Sequence, residues 1–273
     1  MKNHFFVFFI FLFSGIAFSQ NLPSFRAGKY IDANSFYENE GIYFTFYEKG
    51  RVNGIKNVDP KIGTFNGSYS VIEENGLNYL QIMWDNKTSD KYLIIGSINN
   101  GYFNNFNLYN KDGKPFFSYA TKPSSEYITF FQHNISTNRI TTSSELREGN
   151  IVYSVNNLDD RIGVCWAARG GIGEKIIIRK DKDEWGDLYI ATGFISMEKP
   201  HLYRENSRPK KIRVSYEGKN AEIIELADTY HVQSINKFSS YDKGDVWIEI
   251  LEVYPGTRYQ DLCINLFRFF LSQ

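Results

Sequence analysis

Apolar and polar positions alternate with a period of two along much of the chain, the spacing of strands that bury one face. Around residue 80 the pattern is plain: Leu80, Ile82 and Trp84 fall on one side, Tyr79, Gln81 and Met83 on the other. Tyr69 and Val71 alternate with polar neighbours before Glu74-Asn75-Gly76. Asn-Gly there predicts a hairpin, because both turn residues take positive φ. Residues 42–47, 91–95, 105–109 and 116–119 read as further strands, with Lys111-Asp112-Gly113-Lys114 as a turn between the last two. From residue 28 to about 119 this predicts a meander of about six to eight antiparallel strands. A small, faintly lipocalin-like barrel is its natural closure, since closing the sheet removes exposed edges. Lys122-Pro123-Ser124-Ser125 reads as a linker. Beyond it, strands are predicted at 175–179, 211–216, 221–226, 246–253 and 263–269, with no stretch of helical period. Tyr216-Glu217-Gly218-Lys219-Asn220 joins two of them as a hairpin, and irregular stretches such as 196–209 are where binding residues would sit. The expected class is all-β: an N-terminal meander or barrel domain over 20–122 and a second β domain over 123–273.

The first nineteen residues differ from the rest. Lys2, an apolar run over 5–13 and the small residues Ala17 and Ser19 fit a secretory signal cut before Gln20. The run is shorter than the roughly 20 residues of a permanent spanning helix, and no later segment is apolar enough to span. The mature protein is expected to be secreted, periplasmic or at the cell surface. Composition sharpens the class. Aromatic residues make up 17%, which favours strands, while hydrophobic 42% and charged 23% suit a globular core. Lys plus Arg and Asp plus Glu number 31 each, without the basic excess of a nucleic-acid binder. Two cysteines, Cys165 and Cys263, leave two readings open: a disulfide closing a long loop, or buried thiols in neighbouring strands.

Several phrases of the second half occur in a telling order. They are Asn157-Leu158-Asp159-Asp160, Cys165-Trp166, Gly171-Ile172-Gly173-Glu174, Gly193-Phe194, Asn206-Ser207-Arg208-Pro209-Lys210, Val253-Tyr254-Pro255-Gly256-Thr257-Arg258-Tyr259 and Asp261-Leu262-Cys263-Ile264. Together, across residues 140–269, they resemble the NADase-type glycan-binding (translocation) domain, a discoidin-like, galactose-binding-like jelly roll. The resemblance implies an eight-stranded antiparallel sandwich whose end loops recognise carbohydrate. It does not imply NADase activity, which belongs to a separate catalytic module not recognised in this sequence. It also bears on calcium. Related sugar-binding jelly rolls use a carboxylate on the last strand to hold the ion, and this chain has Asn265-Leu266 where the family has Ser-Glu. Asp159 and Asp160 remain as weak calcium candidates; otherwise no metal and no cofactor are expected.

Sugar recognition needs an aromatic face for the C–H side of a pyranose and planar polar groups for its hydroxyls. Trp166, Arg169, Tyr203, Asn206, Arg208, Tyr254 and Tyr259 supply that chemistry from expected loops and strand ends. Against it stands packing. Trp166 adjoins a strand and suits the core, and at least one of Tyr254 and Tyr259 is expected to pack on the Pro255-Gly256 turn. Arg169, beside Gly170-Gly171, is the exposed candidate. Glu174 is expected to pair with Arg or Lys across the sheet. His133, His201 and His231 are too scattered for a zinc site and read as surface or strand residues. Gly170-Gly171-Ile172-Gly173 precedes a strand and makes no phosphate cradle. The carboxylate pairs Asp159-Asp160, Asp181/Asp183 and Glu73-Glu74 read as solvated turns, and no nucleophile motif occurs. The expectation is a non-catalytic exported protein that binds a glycan or glycoconjugate. Two alternatives are a docking module for an envelope protein and a carrier of small apolar ligands in the barrel.

Overall fold

The computed structural model describes residues 22–32, 43–55, 64–119, 137–159, 161–179, 185–217, 219–238 and 244–272. The expected signal sequence, the expected linker at 122–125, His133, Asp160, Asp181 and Asp183 lie outside these. Among the described residues no helix is long and apolar enough to cross a membrane.

The first eight strands run β1 (Gly28–Ile31), β2 (Tyr43–Tyr47), β3 (Arg51–Ile55), β4 (Thr64–Glu74), β5 (Leu77–Trp84), β6 (Ser89–Asn99), β7 (Tyr102–Tyr109) and β8 (Pro115–Tyr119). They form one antiparallel sheet in sequence order. Asn75 and Gly76 take φ of 53° and 83°, the positive values a two-residue hairpin demands. A second such turn, Asn100-Gly101 with φ of 51° and 76°, joins β6 to β7. The sheet curls until its ends meet. The Ser118 amide donates to the Asp32 carboxylate at 2.8 Å, and the Tyr30 and Tyr119 rings lie 4.5 Å apart. The interior is filled by the chain's own rings: Phe25 stacks on Phe46 at 4.3 Å and touches Phe103 and Phe106, each at 5.2 Å. That packing removes the main support for an apolar-ligand carrier.

The remaining strands are β9 (Ile140–Thr142), β10 (Leu146–Glu148), β11 (Ile151–Tyr153), β12 (Trp166–Ala168), β13 (Lys175–Ile178), β14 (Trp185–Thr192), β15 (Arg208–Tyr216), β16 (Lys219–Glu225), β17 (Gln233–Phe238), β18 (Val246–Tyr254) and β19 (Leu262–Ser272). A four-stranded sheet, β12-β19-β14-β17, faces a five-stranded one, β16-β15-β18-β13-β9, and β10-β11 forms a separate hairpin. All ladder pairings within these sheets are antiparallel. Alternate residues such as Ile176, Ile178, Ile212, Val214, Ile248 and Ile250 point between the sheets with Leu188, Ile190 and Ile264. This is the all-β sandwich expected. One short helix, α1 (Leu202–Glu205), interrupts the stretch read as irregular.

The two halves share a core. Leu77, Tyr79, Leu93, Ile95 and Tyr109 on the barrel's outer face pack with Ile162, Ala191, Ile195, Tyr203, Tyr230 and Leu266. The alternation of β5 and β6 is therefore apolar on both sides where they meet the sandwich. His231, expected at the surface or on a strand, is buried in this seam. Its Nε2 lies 3.2 Å from Asn78 Oδ1, and its Nδ1 accepts the Gly96 amide at 3.4 Å.

Candidate functional site

One end of the sandwich gathers the ends of β12, β14 and β18 and the starts of β15 and β19. There a groove of about 400 Å3 opens, lined among others by Glu148, Tyr153, Phe194, Lys199, His201, Tyr259 and Asp261. Each wall has a local cause. The β10-β11 hairpin pairs Leu146 with Tyr153 and turns through Gly149 at φ 59°, which puts Tyr153 within hydrogen-bonding reach of Glu148. The Tyr153 hydroxyl donates to Glu148 Oε2 at 3.2 Å. Burial first, then that carboxylate, push the phenol up to about 12. The opposite wall is the 255–261 loop, tied down where the Gly256 amide donates to Ser207 Oγ at 3.2 Å and the Tyr259 amide to the Glu205 carbonyl at 2.8 Å. A Cβ on Gly256 would sit 2.3 Å from the carbonyls of Glu205 and Tyr259, so only glycine allows this approach.

The groove's electrostatics centre on Asp261. Its carboxyl is raised above the ordinary range by burial first and then by Glu148, while Arg169 works against the rise. Arg169 is exposed beside Gly170, as expected, and acts on the groove through this charge. The floor is Ala167 of β12 paired with Cys263 of β19. Cys165 and Cys263 are free, buried thiols, not a disulfide, and burial followed by the neighbouring Cys263 raises the Cys165 thiol well above its usual range. The second of the two readings left open by the sequence is the one the structure takes.

Of the seven residues named for glycan contact, Tyr259 and Asn206 line the groove. Asn206 is buried, and its side-chain amide donates to the Leu202 carbonyl at 2.9 Å, ending α1. Three others are turned inward and cannot face a ligand. Trp166 is fully buried between the sheets, its indole donating to the Ser144 carbonyl at 3.0 Å. Tyr203 is fully buried under Gly193, where a Cβ would come within 2.6 Å of its ring. Arg208 is spent on Asp228 and on the carbonyls of Tyr203 and Asn206. Tyr254 is half-buried and donates to the Leu226 carbonyl at 2.9 Å. Glu174 accepts from Ser143 and Ser144 rather than from a cation across the sheet. Glu148 and Tyr153 carried no signal, since each sits in a short hairpin with no periodic pattern; Lys199 and His201 lie in the 196–209 stretch marked for binding without being named for it, and Asp261 and Phe194 occurred only inside motif phrases.

Among the described residues, which do not include Asp160, a calcium site does not fit. Asp159 is engaged by Arg161 at 2.7 Å, and the Leu266 side chain offers no oxygen. The Asn265 amide donates to the carbonyls of Val164 and Arg161 at 2.8 and 3.3 Å, which occupies oxygens that an ion would need. One neutral buried oxygen, Asn265 Oδ1, is left without a donor. Calcium takes about six to eight oxygens, carboxylates among them, and among the described residues no three His, Cys, Asp or Glu side chains converge. Chelation with EDTA is therefore expected to leave the thermal unfolding midpoint unchanged; a midpoint that falls with EDTA and recovers with added calcium would overturn this.

Residues 131–269 match the family described as NAD glycohydrolase translocation F5/8 type C domain. Among solved structures the chain is similar to the family 32 CBM from C. perfringens NanJ in complex with galactose, at 15% identity and a TM-score of 0.36, over 50% of this chain and 96% of that one. Among curated proteins none matches.

Proposed function

Because the chain belongs to the NAD glycohydrolase translocation F5/8 type C domain family, we propose that it is an exported, non-catalytic carbohydrate-binding protein. In this reading residues 20–122 form an accessory barrel and 123–273 the glycan-binding sandwich. The observation that carries it is the groove at the sandwich end, where the half-buried Tyr153 and Tyr259 stand with the carboxylates of Glu148 and Asp261. Tyrosine faces cover the C–H side of a pyranose, and carboxylates accept paired hydroxyl protons without needing a metal. Lys199 and His201 are exposed at the groove and add donors.

The test is a glycan array followed by affinity electrophoresis with residues 20–273. The wild type is expected to be retained by at least one polysaccharide, and Tyr259→Ala and Asp261→Asn to weaken retention about tenfold or more, or about 1.4 kcal/mol. Retention by no glycan, or variants that bind unchanged while folded, would sink the proposal. Glu148 and Asp261 are also the residue types of a glycosidase. Recovered oligosaccharide should thus be intact, and release of new reducing ends would refute the non-catalytic part. Capture of an envelope protein that glycan does not displace would favour the docking alternative.

A further inference from the structure

The groove does not stop at its Phe194 and Lys199 wall. The same two residues bound a second depression, of about 220 Å3, whose other side is Lys111 and Asp112 from the turn between β7 and β8. Gly163 and Glu198 complete it. Resting on the reading of the groove as a glycan site, we propose that this crease is a second subsite supplied partly by the N-terminal half, and that the ligand is a neutral oligosaccharide crossing Phe194.

Three observations support it. The first is size. A volume of about 220 Å3 is below the roughly 300–1,000 Å3 of an independent small-molecule site, yet it adjoins one of about 400 Å3 and reads as its extension. The second is a fixed geometry. The Ile162 amide donates to the Gly113 carbonyl at 2.9 Å, and the Gly163 amide to the Ile195 carbonyl at 2.6 Å. Gly113 takes φ 75°, and a Cβ there would stand 2.5 Å from the Ile162 carbonyl. The turn is thus locked to the sandwich through Ile162, itself part of the shared core. A subsite held in place before binding loses little freedom when occupied. The third is chemistry. Lys111, Asp112, Glu198 and Lys199 are exposed and supply donors and acceptors in equal number. Between the depressions stands the half-buried Phe194 ring, edge-on to Tyr153 at 6.4 Å, a surface for a sugar C–H face. An anionic glycan would meet Glu148 and Asp261, so the chain of sugars is neutral.

Calorimetric titration of residues 20–273 with one- to four-residue ladders of β-1,4-galactan, cellulose and chitin tests this. For the ladder that binds, affinity is expected to rise about tenfold or more from one residue to three. The double variant Lys111→Ala/Asp112→Ala, in an exposed turn, should bind the monosaccharide as the wild type does and lose that gain. Equal affinity for one and three residues, or a double variant that keeps the gain, overturns the subsite. If Tyr259→Ala then still abolishes binding, the groove reading survives alone. If no ladder binds while the array yields a retained polysaccharide, the subsite falls and the groove reading stands; if nothing is retained at all, both fall.

Discussion

Replacing Arg208 by alanine is expected to lower the free energy of unfolding by about 3–5 kcal/mol, the cost of breaking a buried ion pair from one side. The guanidinium is almost wholly enclosed and uses its whole fork. Its Nε and Nη2 donate to the two oxygens of Asp228 at 2.8 and 3.1 Å, and Nη1 donates to the carbonyls of Tyr203 and Asn206 at 2.8 and 2.7 Å. Its cation also lies over the Tyr203 ring, 5.0 Å from the centroid. Alanine would leave the two carbonyls without a donor and the ring without its cation, and would leave Asp228 with Arg204 and the Tyr203 hydroxyl. Burial acts to raise the Asp228 carboxyl, but the hydrogen bonds and charge of Arg208, with Arg204, outweigh it and hold the group below its ordinary value. The sign follows: a depressed carboxylate contributes stability present above its unfolded value of 3.8 and lost as pH falls through the folded one. Urea unfolding at pH 7 should show the full deficit in Arg208→Ala, and Arg208→Lys should recover little of it, because one ammonium cannot replace a planar fork. Arg204→Ala, at the exposed partner, should cost under about 1 kcal/mol. A deficit below that for Arg208→Ala would mean the clamp is not what holds α1 to β15.

Arg208 also marks where the sequence was legible and where it was not. Its motif, Asn206 through Lys210, was read as ligand-facing, whereas Arg208 is turned inward onto Asp228, because residue type alone does not separate a ligand-facing arginine from one consumed by a carboxylate twenty residues later. The strand pattern was readable wherever one face meets solvent, as at Gln81 and Met83, and the Asn75-Gly76 turn followed from its φ requirement. Asn100-Gly101 carried the same signal. The seam between the halves was not read, although the unbroken Leu93-Ile94-Ile95 run carries a signal for it: period two breaks down when both faces are covered, and a barrel strand with two apolar faces needs a partner outside the barrel. Which partner depends on contacts between residues far apart in the chain, as Leu77 is from Leu266, and those leave no local trace. The groove suffers the same way, since Glu148 and Asp261 meet only after both sheets have formed.

His231 is where that seam becomes sensitive to acid. Burial lowers its imidazole from 6.5 to about 3, so the ring is neutral in the folded protein. With Nε2 donating to Asn78 Oδ1, the free lone pair on Nδ1 accepts the Gly96 amide. A second proton would have to go to Nδ1, against that N–H and in a pocket formed by the rings of Tyr230 and Phe103, at 4.2 and 5.9 Å. The unfolded chain takes that proton near pH 6.5 and the folded chain does not, so stability conferred by the neutral ring is complete above pH 6.5 and falls as pH drops toward 3. At about 1.36 kcal/mol per pH unit, the loss is about 3 kcal/mol by pH 4 and about 4–5 kcal/mol over the whole window. Urea unfolding of the wild type at pH 7 and pH 4 should show about that difference, with Asp228 adding to the loss below pH 4 and the raised carboxyl of Asp261 working against it. His231→Gln cannot titrate, so its difference between the two pH values should shrink by about 3 kcal/mol, even if the variant is weaker at pH 7. An equal pH dependence in variant and wild type would mean the imidazole is solvated in the folded state and that the seam around Asn78 and Gly96 is open to water.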